Sequence, residues 1–170
     1  MPTGLKQSSS TVAIGFGVQE SAANTFTQGS VDLNLSPLDR EVFVVTAINL
    51  EPLPPDCIPT TSTRVNSSLT TTSQDRVAGL SNANCLSVAN LFVRQSAGTV
   101  DGAPFATIAE QPPANLDYLG IIATNDFFVQ VEGDGNASAK SVQGKLYGYR
   151  AIASADIYAA LVQSEVLSAQ

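Results

Sequence analysis

Residues 41–50 read EVFVVTAINL, and this run says most about the fold of the chain. Its apolar residues stand at both odd and even positions, and β-branched side chains are frequent among them. A strand with one face in water would alternate apolar with polar residues. The run therefore predicts a β-strand that is covered on both faces.

Shorter strand signals lie on both sides of this run. Alternating, β-branched or aromatic residues predict further strands at 12–18, 26–35, 60–73, 87–94, 105–109, 116–123, 126–132 and 139–152. Proline and glycine mark the breaks between strands. They stand at Pro52–Pro59, Gly98, Gly102, Pro104, Pro112, Pro113 and in the Gly133–Asn136 turn. The pattern predicts an all-β sandwich or barrel.

The period of the sequence changes only at the C-terminus. From Ser154 it reads SADIYAALVQSEVLSAQ, which predicts a helix over residues 154–168 with Ser154 as its N-cap. Apolar residues recur there at spacings of three and four, at Ile157, Tyr158, Leu161, Val162 and Val166. We expect Ile157, Leu161 and Val162 on the face that packs, against either the chain's own sandwich or a neighbouring subunit.

The length of 170 residues suits one domain. We divide it into an N-terminal arm (1–11), a sandwich (12–152) and a C-terminal helix (154–168). Residues 1–10 lack the apolar run of a signal peptide, and no stretch approaches the roughly 18 apolar residues of a membrane-spanning helix. The sequence therefore predicts a soluble protein that is made in the cytoplasm.

The composition excludes several kinds of active site. The chain has no histidine, so Ser-His-Asp and Cys-His catalysis are ruled out, as is any zinc site except one of cysteines and carboxylates. The net charge is −7, from 8 basic and 15 acidic residues, which opposes nucleic-acid binding through a general basic surface. We therefore expect no enzyme activity, no cofactor, no small-molecule substrate and no direct contact with nucleic acid.

One turn offers a candidate for a metal site. Glu132, Asp134 and Asn136 place oxygen-bearing side chains at alternate positions, as a calcium loop does. However, Ala137 and Gln143 stand where an EF-hand needs its invariant glycine and its bidentate glutamate. A hairpin turn rich in aspartate and glycine explains the segment better, and we predict no metal here.

Two pairs of carboxylates flank predicted strands, Asp117 with Asp126 and Glu41 with Glu51. Such pairs serve glycosidases, but polar residues at strand ends are the more ordinary explanation. The basic residues Lys140, Lys145 and Arg150 share one predicted strand, and we expect them at solvated strand ends.

Tyr147, Tyr149 and Tyr158 bracket the junction between the last strand and the helix, where we expect them to pack beneath the helix. Cys57 and Cys85 can form a disulfide, but a chain of this length does not need one to fold. Two buried free thiols are our prediction, and a disulfide is the alternative.

The surface is short of charge, since only 14% of the residues are charged and lysine occurs only at 6, 140 and 145. Ordering a lysine or glutamate side chain costs roughly 1.5 to 2 kcal/mol of conformational entropy, and serine, threonine or alanine costs less. Protein interfaces are depleted in Lys, Glu and Asp. The composition thus favours a subunit that is surrounded by other subunits.

A resemblance to a known family is carried by the C-terminal part of the chain. Its elements are DYLGIIATNDFFVQV (117–131), the Gly133–Asn136 turn, KLYGYRA (145–151) and the helix to Gln170. Together they resemble the C-terminal half of small capsid subunits from icosahedral viruses of marine microbes.

This resemblance implies a single jelly roll of two antiparallel sheets and about eight strands. It implies a major capsid subunit that assembles with copies of itself, and with other capsid proteins, into a virion shell around a genome or an internal membrane. The resemblance implies no catalytic residues in this chain. Two alternatives stay open, a decoration or fibre module of a virion and a carbohydrate-binding β-sandwich, with a glycosidase-like enzyme as a remote third.

Overall fold

The computed structural model describes residues 2–95, 105–109 and 115–168. In these ranges the chain forms ten β-strands and one α-helix. They are β1 (Leu5–Gln7), β2 (Val12–Gln19), β3 (Thr27–Asp32), β4 (Glu41–Pro52), β5 (Thr63–Thr70), β6 (Cys85–Val93), β7 (Phe105–Ala109), β8 (Gly120–Ile122), β9 (Asp126–Asp134), β10 (Ser141–Ala153) and α1 (Ala155–Leu167). The prediction of an all-β fold with a C-terminal helix is confirmed.

The strands form two antiparallel sheets, which we call sheet A and sheet B. In sheet A, β1 and β2 both pair with one edge of β10, which is followed by β4 and β8. In sheet B the order is β3-β9-β5-β6-β7. A sheet β2-β10-β4-β8 packed on a sheet β3-β9-β5-β6 is the strand order of a jelly-roll sandwich. β1 and β7 each add one strand to this eight-stranded core.

The inner faces of the two sheets meet in an apolar core. Its largest fully buried apolar side chains are Phe43, Leu69, Ile122, Phe127 and Leu146. Phe16 of edge strand β2 packs edge-on against Phe127, with ring centroids 5.5 Å apart. Apolar residues from both sheets therefore fill the space between them.

Two glycines of β10 let these rings approach its backbone. A Cβ atom on Gly144 would lie 2.6 Å from Cζ of Phe16. A Cβ atom on Gly148 would overlap the Phe43 ring and the carbonyl oxygen of Val44. Both positions therefore require glycine for close packing.

Strand β4 is covered on both faces in its first half, as the sequence predicts. Residues 42–45 are all buried; Phe43 and Val45 belong to the core, whereas Val42 and Val44 lie in a second cluster beneath α1. A register shift follows, because Tyr147 pairs with Ala47 and the next residue, Gly148, pairs with Val45. Thr46 is thus the extra residue of a β-bulge.

Helix α1 lies across the outer face of sheet A. At its start the Ser154 N–H donates to the carbonyl oxygen of Gly4 at 3.3 Å, and near its end Glu165 contacts the β8–β9 turn. The side chains of Ile157, Tyr158, Leu161 and Val162 pack against a cluster from β1, β4 and β10. Ile157, Leu161 and Val162 therefore pack on the chain's own sandwich, and their role in subunit contacts stays a prediction.

Two details of the helix differ from the sequence prediction. Val166 does not share the packed face: it is 59% exposed, and Glu165 is buried in its place. The reason is the helical period, since residue 165 lies one turn after residues 161 and 162 on the same face. Ser154 occupies the N-cap position, but its side chain makes no capping hydrogen bond.

Part of the predicted N-terminal arm is a strand. β1 pairs with the end of β10, with Leu5 opposite Ala153. Ser9 ties the connection between β1 and β2 to β10, because its hydroxyl accepts the N–H of Arg150 at 2.9 Å. A three-residue strand with one buried side chain leaves almost no pattern in the sequence, so β1 was not among the predicted strands.

Other predicted boundaries shift by a few residues. The strand expected over 60–73 is β5, and the strand expected over 116–123 is the short β8. The Gly133–Asn136 turn forms with Gly135 at φ +72°, a conformation that glycine adopts without strain. The breaks predicted at Gly98, Gly102, Pro104, Pro112 and Pro113 lie outside the described residues. Within the described part of the chain, no helix is long and apolar enough to span a bilayer.

Candidate functional site

Buried polar side chains hold together the end of the sandwich where the β2–β3, β4–β5 and β9–β10 loops meet. We call Glu20, Asp56, Asn136 and Lys140 the polar cluster. Glu20 is only 4% exposed. Its Oε1 accepts the N–H groups of Gly133 (2.6 Å) and Thr25 (3.1 Å), and its Oε2 accepts the N–H of Lys140 at 2.7 Å. Glu20 thus ties three segments through their backbones.

Lys140 is a buried member of this cluster rather than a solvated strand end. It is 2% exposed, and its Nζ lies 2.6 Å from Oδ1 of Asp56. The bond from Lys140, together with backbone and side-chain bonds from Ala137 and Ser138, lowers the pKa of the Asp56 carboxyl. The prediction for Lys140 was wrong because a lysine in a sequence does not reveal a carboxylate 84 positions away.

Of the metal candidates, Glu132 and Asp134 line one small cleft on the outer face of sheet B, whereas Asn136 belongs to the polar cluster. Asn136 Oδ1 accepts the N–H of Asp56 at 2.9 Å, and its Nδ2 donates to the carbonyl oxygen of Arg64 at 2.8 Å. Asp134 lies 3.1 Å from Nε of Arg64. In the part of the chain that the structure describes, no three His, Cys, Asp or Glu residues are grouped as metal ligands. The turn therefore holds the β4–β5 loop and β5 together through the hydrogen bonds of Asn136.

The opposite end of the sandwich is fastened by Arg150. Its guanidinium donates to the carbonyl oxygens of Leu33 (2.7 Å) and Asn34 (3.2 Å) and lies 3.3 Å from Oε2 of Glu41. Arg150 was expected to be solvated, but it holds the β3–β4 connection. Its partner Glu41 is ten residues from Glu51 along β4, a span of roughly 33 Å. A glycosidase needs its two carboxylates about 5 to 9.5 Å apart, so this pair cannot serve as one.

The predicted pair of Asp117 and Asp126 is also divided. Asp126 begins β9 in sheet B, opposite Asp32, whereas Asp117 precedes β8 of sheet A. Asp32 accepts a bond from Nδ2 of Asn125 at 2.7 Å, which fixes the β8–β9 turn. Asp126 thus stands at a strand end, as predicted, whereas Asp117 lies in the connection three residues before β8.

The helix covers only part of the outer face of sheet A, since Ala47, Asn49 and Lys145 are exposed there. Tyr149 and Tyr158 pack in the cluster beneath α1, as expected. Tyr147 is half-buried, and its neighbour Lys145 is exposed opposite Gly15 and Asn49. Of Lys140, Lys145 and Arg150, only Lys145 is therefore exposed as predicted.

Cys57 does not match the prediction of a buried thiol. It is an exposed free cysteine in the loop after β4, and its Sγ lies 3.9 Å from Nε2 of Gln95. Prolines on both sides keep this loop out of the sheets, which leaves the side chain at the surface. Cys85 is half-buried at the start of β6, with its Sγ 3.6 Å from the carbonyl oxygen of Ser87.

Glu165 was not recognised from the sequence, although it anchors the helix. It is 7% exposed, and its two oxygens accept the N–H groups of Ala123 and Thr124. Burial raises the pKa of its carboxyl, and the hydrogen bonds from Ala123 and Thr124 act in the opposite direction. A glutamate among helical residues normally faces water, so no sequence signal marks it.

A groove of about 500 Å³ lies on the outer face of sheet B. We call it the sheet-B groove, and its main lining residues are Ser62, Arg64, Asn66, Asn90, Phe92, Arg94 and Asp134. The rest of this face is covered by the β5–β6 loop, where the Ala78 N–H donates to Ser68 and Ser68 donates to Gln130. The alternation of residues along the predicted strands indicates which side chains point outward. It does not show that these side chains meet at one groove.

Strand β2 forms an edge of sheet A and pairs only with β10 among the described strands. Its sequence, VAIGFGVQ, contains no charged residue and no proline. Natural edge strands usually carry lysine, proline or a bulge, because an open edge pairs readily with another strand. β2 lacks the first two protections over eight residues.

No protein-family model matches the chain, and no curated protein matches it. Among solved structures, the chain is similar to one titled Desmodium yellow mottle tymovirus, with a TM-score of 0.36 and 12% sequence identity. The alignment covers 91% of this chain and 95% of that one. A TM-score at this level does not assign a family or a function, so the resemblance to capsid subunits of marine viruses stays a prediction.

Proposed function

We propose that this chain is a structural subunit that assembles with copies of itself into the icosahedral shell of a virion. The observation that carries the proposal is the unprotected edge of β2 in a jelly-roll sandwich. Eight residues of uncharged edge strand are an aggregation hazard in an isolated molecule, and a neighbouring subunit that covers this edge removes the hazard.

The exposed surface supports the same proposal. With Lys140 buried, Lys6 and Lys145 are the only lysines at the surface, so few long charged side chains would have to be ordered in a contact. Large apolar side chains are exposed in several connections between strands. They include Leu38 (96%), Leu80 (58%), Leu53 (46%) and Leu116 (52%). Subunit contacts would bury these residues.

The interior argues against an enzyme of the same architecture. Jelly rolls also occur in cupins and lectins, so the strand order alone does not select a function. Here the fully buried side chains between the sheets include Phe43, Phe127 and Leu146, which form an apolar core and supply no group for acid–base catalysis. A structural role requires only this packed core and the surface of the sandwich.

Several finer points belong to the proposal. The chain would be a major capsid subunit, made in the host cytoplasm, with other copies and other capsid proteins as partners. Its net charge of −7 is unsuited to direct contact with the genome. The shell would enclose a genome or an internal membrane. A decoration or fibre module is the alternative within a virion.

Light scattering on the purified chain tests the proposal. We expect one very large species of uniform mass, and a β2 edge that carries charge, Gly15→Lys with Gly17→Lys, should shift the mass to that of small oligomers or monomers. The matched control places the same charges on an interior strand, as Ala47→Lys with Asn49→Lys, at two exposed and uncharged positions of β4. A wild-type chain that stays monomeric over a wide concentration range would overturn the proposal.

A further inference from the structure

The sheet-B groove is the one site in the described residues whose chemistry points to a small ligand. We propose that it binds a neutral saccharide of one or two sugar units. Its volume of about 500 Å³ lies in the usual range for small-molecule sites, roughly 300 to 1,000 Å³. The proposal depends on this groove alone and does not require shell formation.

Two amide side chains face each other across the floor of the groove. Asn66 of β5 pairs in register with Asn90 of β6. Asn90 Oδ1 accepts the Ser67 N–H at 3.3 Å, which leaves its NH2 group available as a donor. Asn66 makes no side-chain hydrogen bond to any described residue. An amide both donates and accepts, and so do the hydroxyl groups of a sugar.

The groove carries little net charge. Arg64 lies opposite Asp134 on β9, with Nε 3.1 Å from Oδ2, and both side chains are more than half exposed. Exposed pairs of this kind add little to stability, so their polar atoms can exchange partners with a ligand. Arg94 gives the lining a net charge of +1, and Glu132 lines the adjoining cleft. One arginine that is unpaired among the described residues, beside two carboxylates, gives weak attraction for phosphate, nucleic acid or acidic sugars.

An aromatic ring completes the lining. Phe92 pairs in register with Arg64 and is half-buried beside the two amides. The apolar face of a pyranose ring can pack on such a ring while its hydroxyl groups reach the amides and the Arg64–Asp134 pair. The combination of one aromatic face with several neutral or paired polar groups suits a sugar better than an apolar ligand.

The position of the groove also favours a sugar over a peptide as its ligand. An extended peptide binds most readily at the edge of a sheet, where it adds a strand through main-chain hydrogen bonds. The sheet-B groove lies on the face of β5, β6 and β9, whose backbones are already paired with each other. Recognition here must use side chains, as it does for a saccharide.

Saturation-transfer NMR on the full chain tests the proposal, with glucose, galactose, mannose, N-acetylglucosamine and their disaccharides as probes. An acidic sugar (sialyllactose) and an uncharged Ser/Gly peptide serve as comparison ligands. We expect at least one neutral sugar to bind, and the variants Asn66→Ala and Phe92→Ala to weaken its binding about three- to tenfold. Asn49→Ala, an exposed asparagine on sheet A, is the matched control and should bind as the wild type does.

The possible results separate cleanly once a thermal melt has shown each variant to be folded. Binding that falls in both groove variants and not in the control supports the assignment. Binding that is unchanged by either groove variant, or a preference for the acidic sugar or the peptide, overturns it. The absence of binding by any neutral probe overturns it as well, and leaves the proposed shell function untouched.

Discussion

The Glu165 carboxylate accepts the backbone N–H of Ala123 at 2.9 Å, and its second oxygen accepts that of Thr124 at 3.0 Å. This contact joins the end of the chain to the turn between β8 of sheet A and β9 of sheet B. It is made by a side chain that is almost fully buried. Helix α1 is therefore fixed both by apolar packing and by a directed polar anchor at its far end.

Loss of this anchor should destabilise the fold. Glu165→Ala would leave one buried and one partly buried backbone N–H group without an acceptor, at a cost of about 2 kcal/mol in the free energy of unfolding. Gln163→Ala, on the exposed side of the same turn, should change it by less than about 0.5 kcal/mol. Urea denaturation followed by circular dichroism measures both. Equal effects of the two substitutions would show that the Glu165 contact contributes nothing.

The packing of β10 gives a prediction with a close control. Gly148→Ala forces a Cβ atom onto the Phe43 ring and the Val44 carbonyl oxygen, so we expect about 2 to 3 kcal/mol of destabilisation. Gly15→Ala, in the adjoining strand, meets no atom within 4 Å and should be tolerated. Thermal melts compare the two. A Gly148→Ala protein as stable as the wild type would mean that β10 packs less tightly than described.

The pair of Asp56 and Lys140 predicts a loss of stability in acid. The pKa of Asp56 is lower in the folded protein than the ordinary value of 3.8, so its contribution is present above that value and disappears as the pH falls through the lowered pKa. Asp56→Asn should remove this pH dependence and cost about 3 kcal/mol at neutral pH, because Lys140 is left buried without its partner.

Asp75→Asn is the control for that measurement. Asp75 pairs with Arg76, and both side chains are more than 80% exposed, so its loss should change the unfolding free energy by less than about 0.5 kcal/mol. Unfolding by urea at neutral and acidic pH gives the comparison. A steep acid dependence that persists in Asp56→Asn would assign the effect to other carboxylates.

The packed face of α1 gives a prediction for the helix as a whole. Leu161→Asp places a charge among Val42, Val44 and Tyr149, which should cost about 3 kcal/mol and detach the helix from sheet A. Ala159→Asp puts the same side chain on the exposed face and should leave the helix in place. Limited proteolysis of the two variants measures the effect, because a detached helix is cleaved early. Equal protection in both variants would contradict the described packing.

The sequence predicts much of this fold because its strongest pattern has one physical cause. Residues 42–45 are apolar in succession because the core covers one face and α1 covers the other. The pattern does not show the bulge at Thr46, after which Ile48 and Leu50 point inward where a regular strand would turn them outward. A bulge is fixed by the pairing with β10, which no local sequence pattern records.

The candidate site was harder to predict for the same reason. Lys140 and Arg150 look like surface charges until Asp56 and Glu41, more than 80 and 100 positions away, are brought beside them. The sheet-B groove needs the register of three strands before Asn66, Asn90 and Asp134 share one face. Contacts between residues distant in sequence decide the site, whereas local periodicity decides the strands.

Electron microscopy of the purified chain in negative stain tests the central claim most directly. We predict closed particles of uniform diameter for the wild type and for the β4 control with lysine at positions 47 and 49, and their loss when β2 carries lysine at positions 15 and 17. A field of monomers or small oligomers in the wild type, at every concentration and salt condition tried, would contradict the proposal that this chain builds a shell.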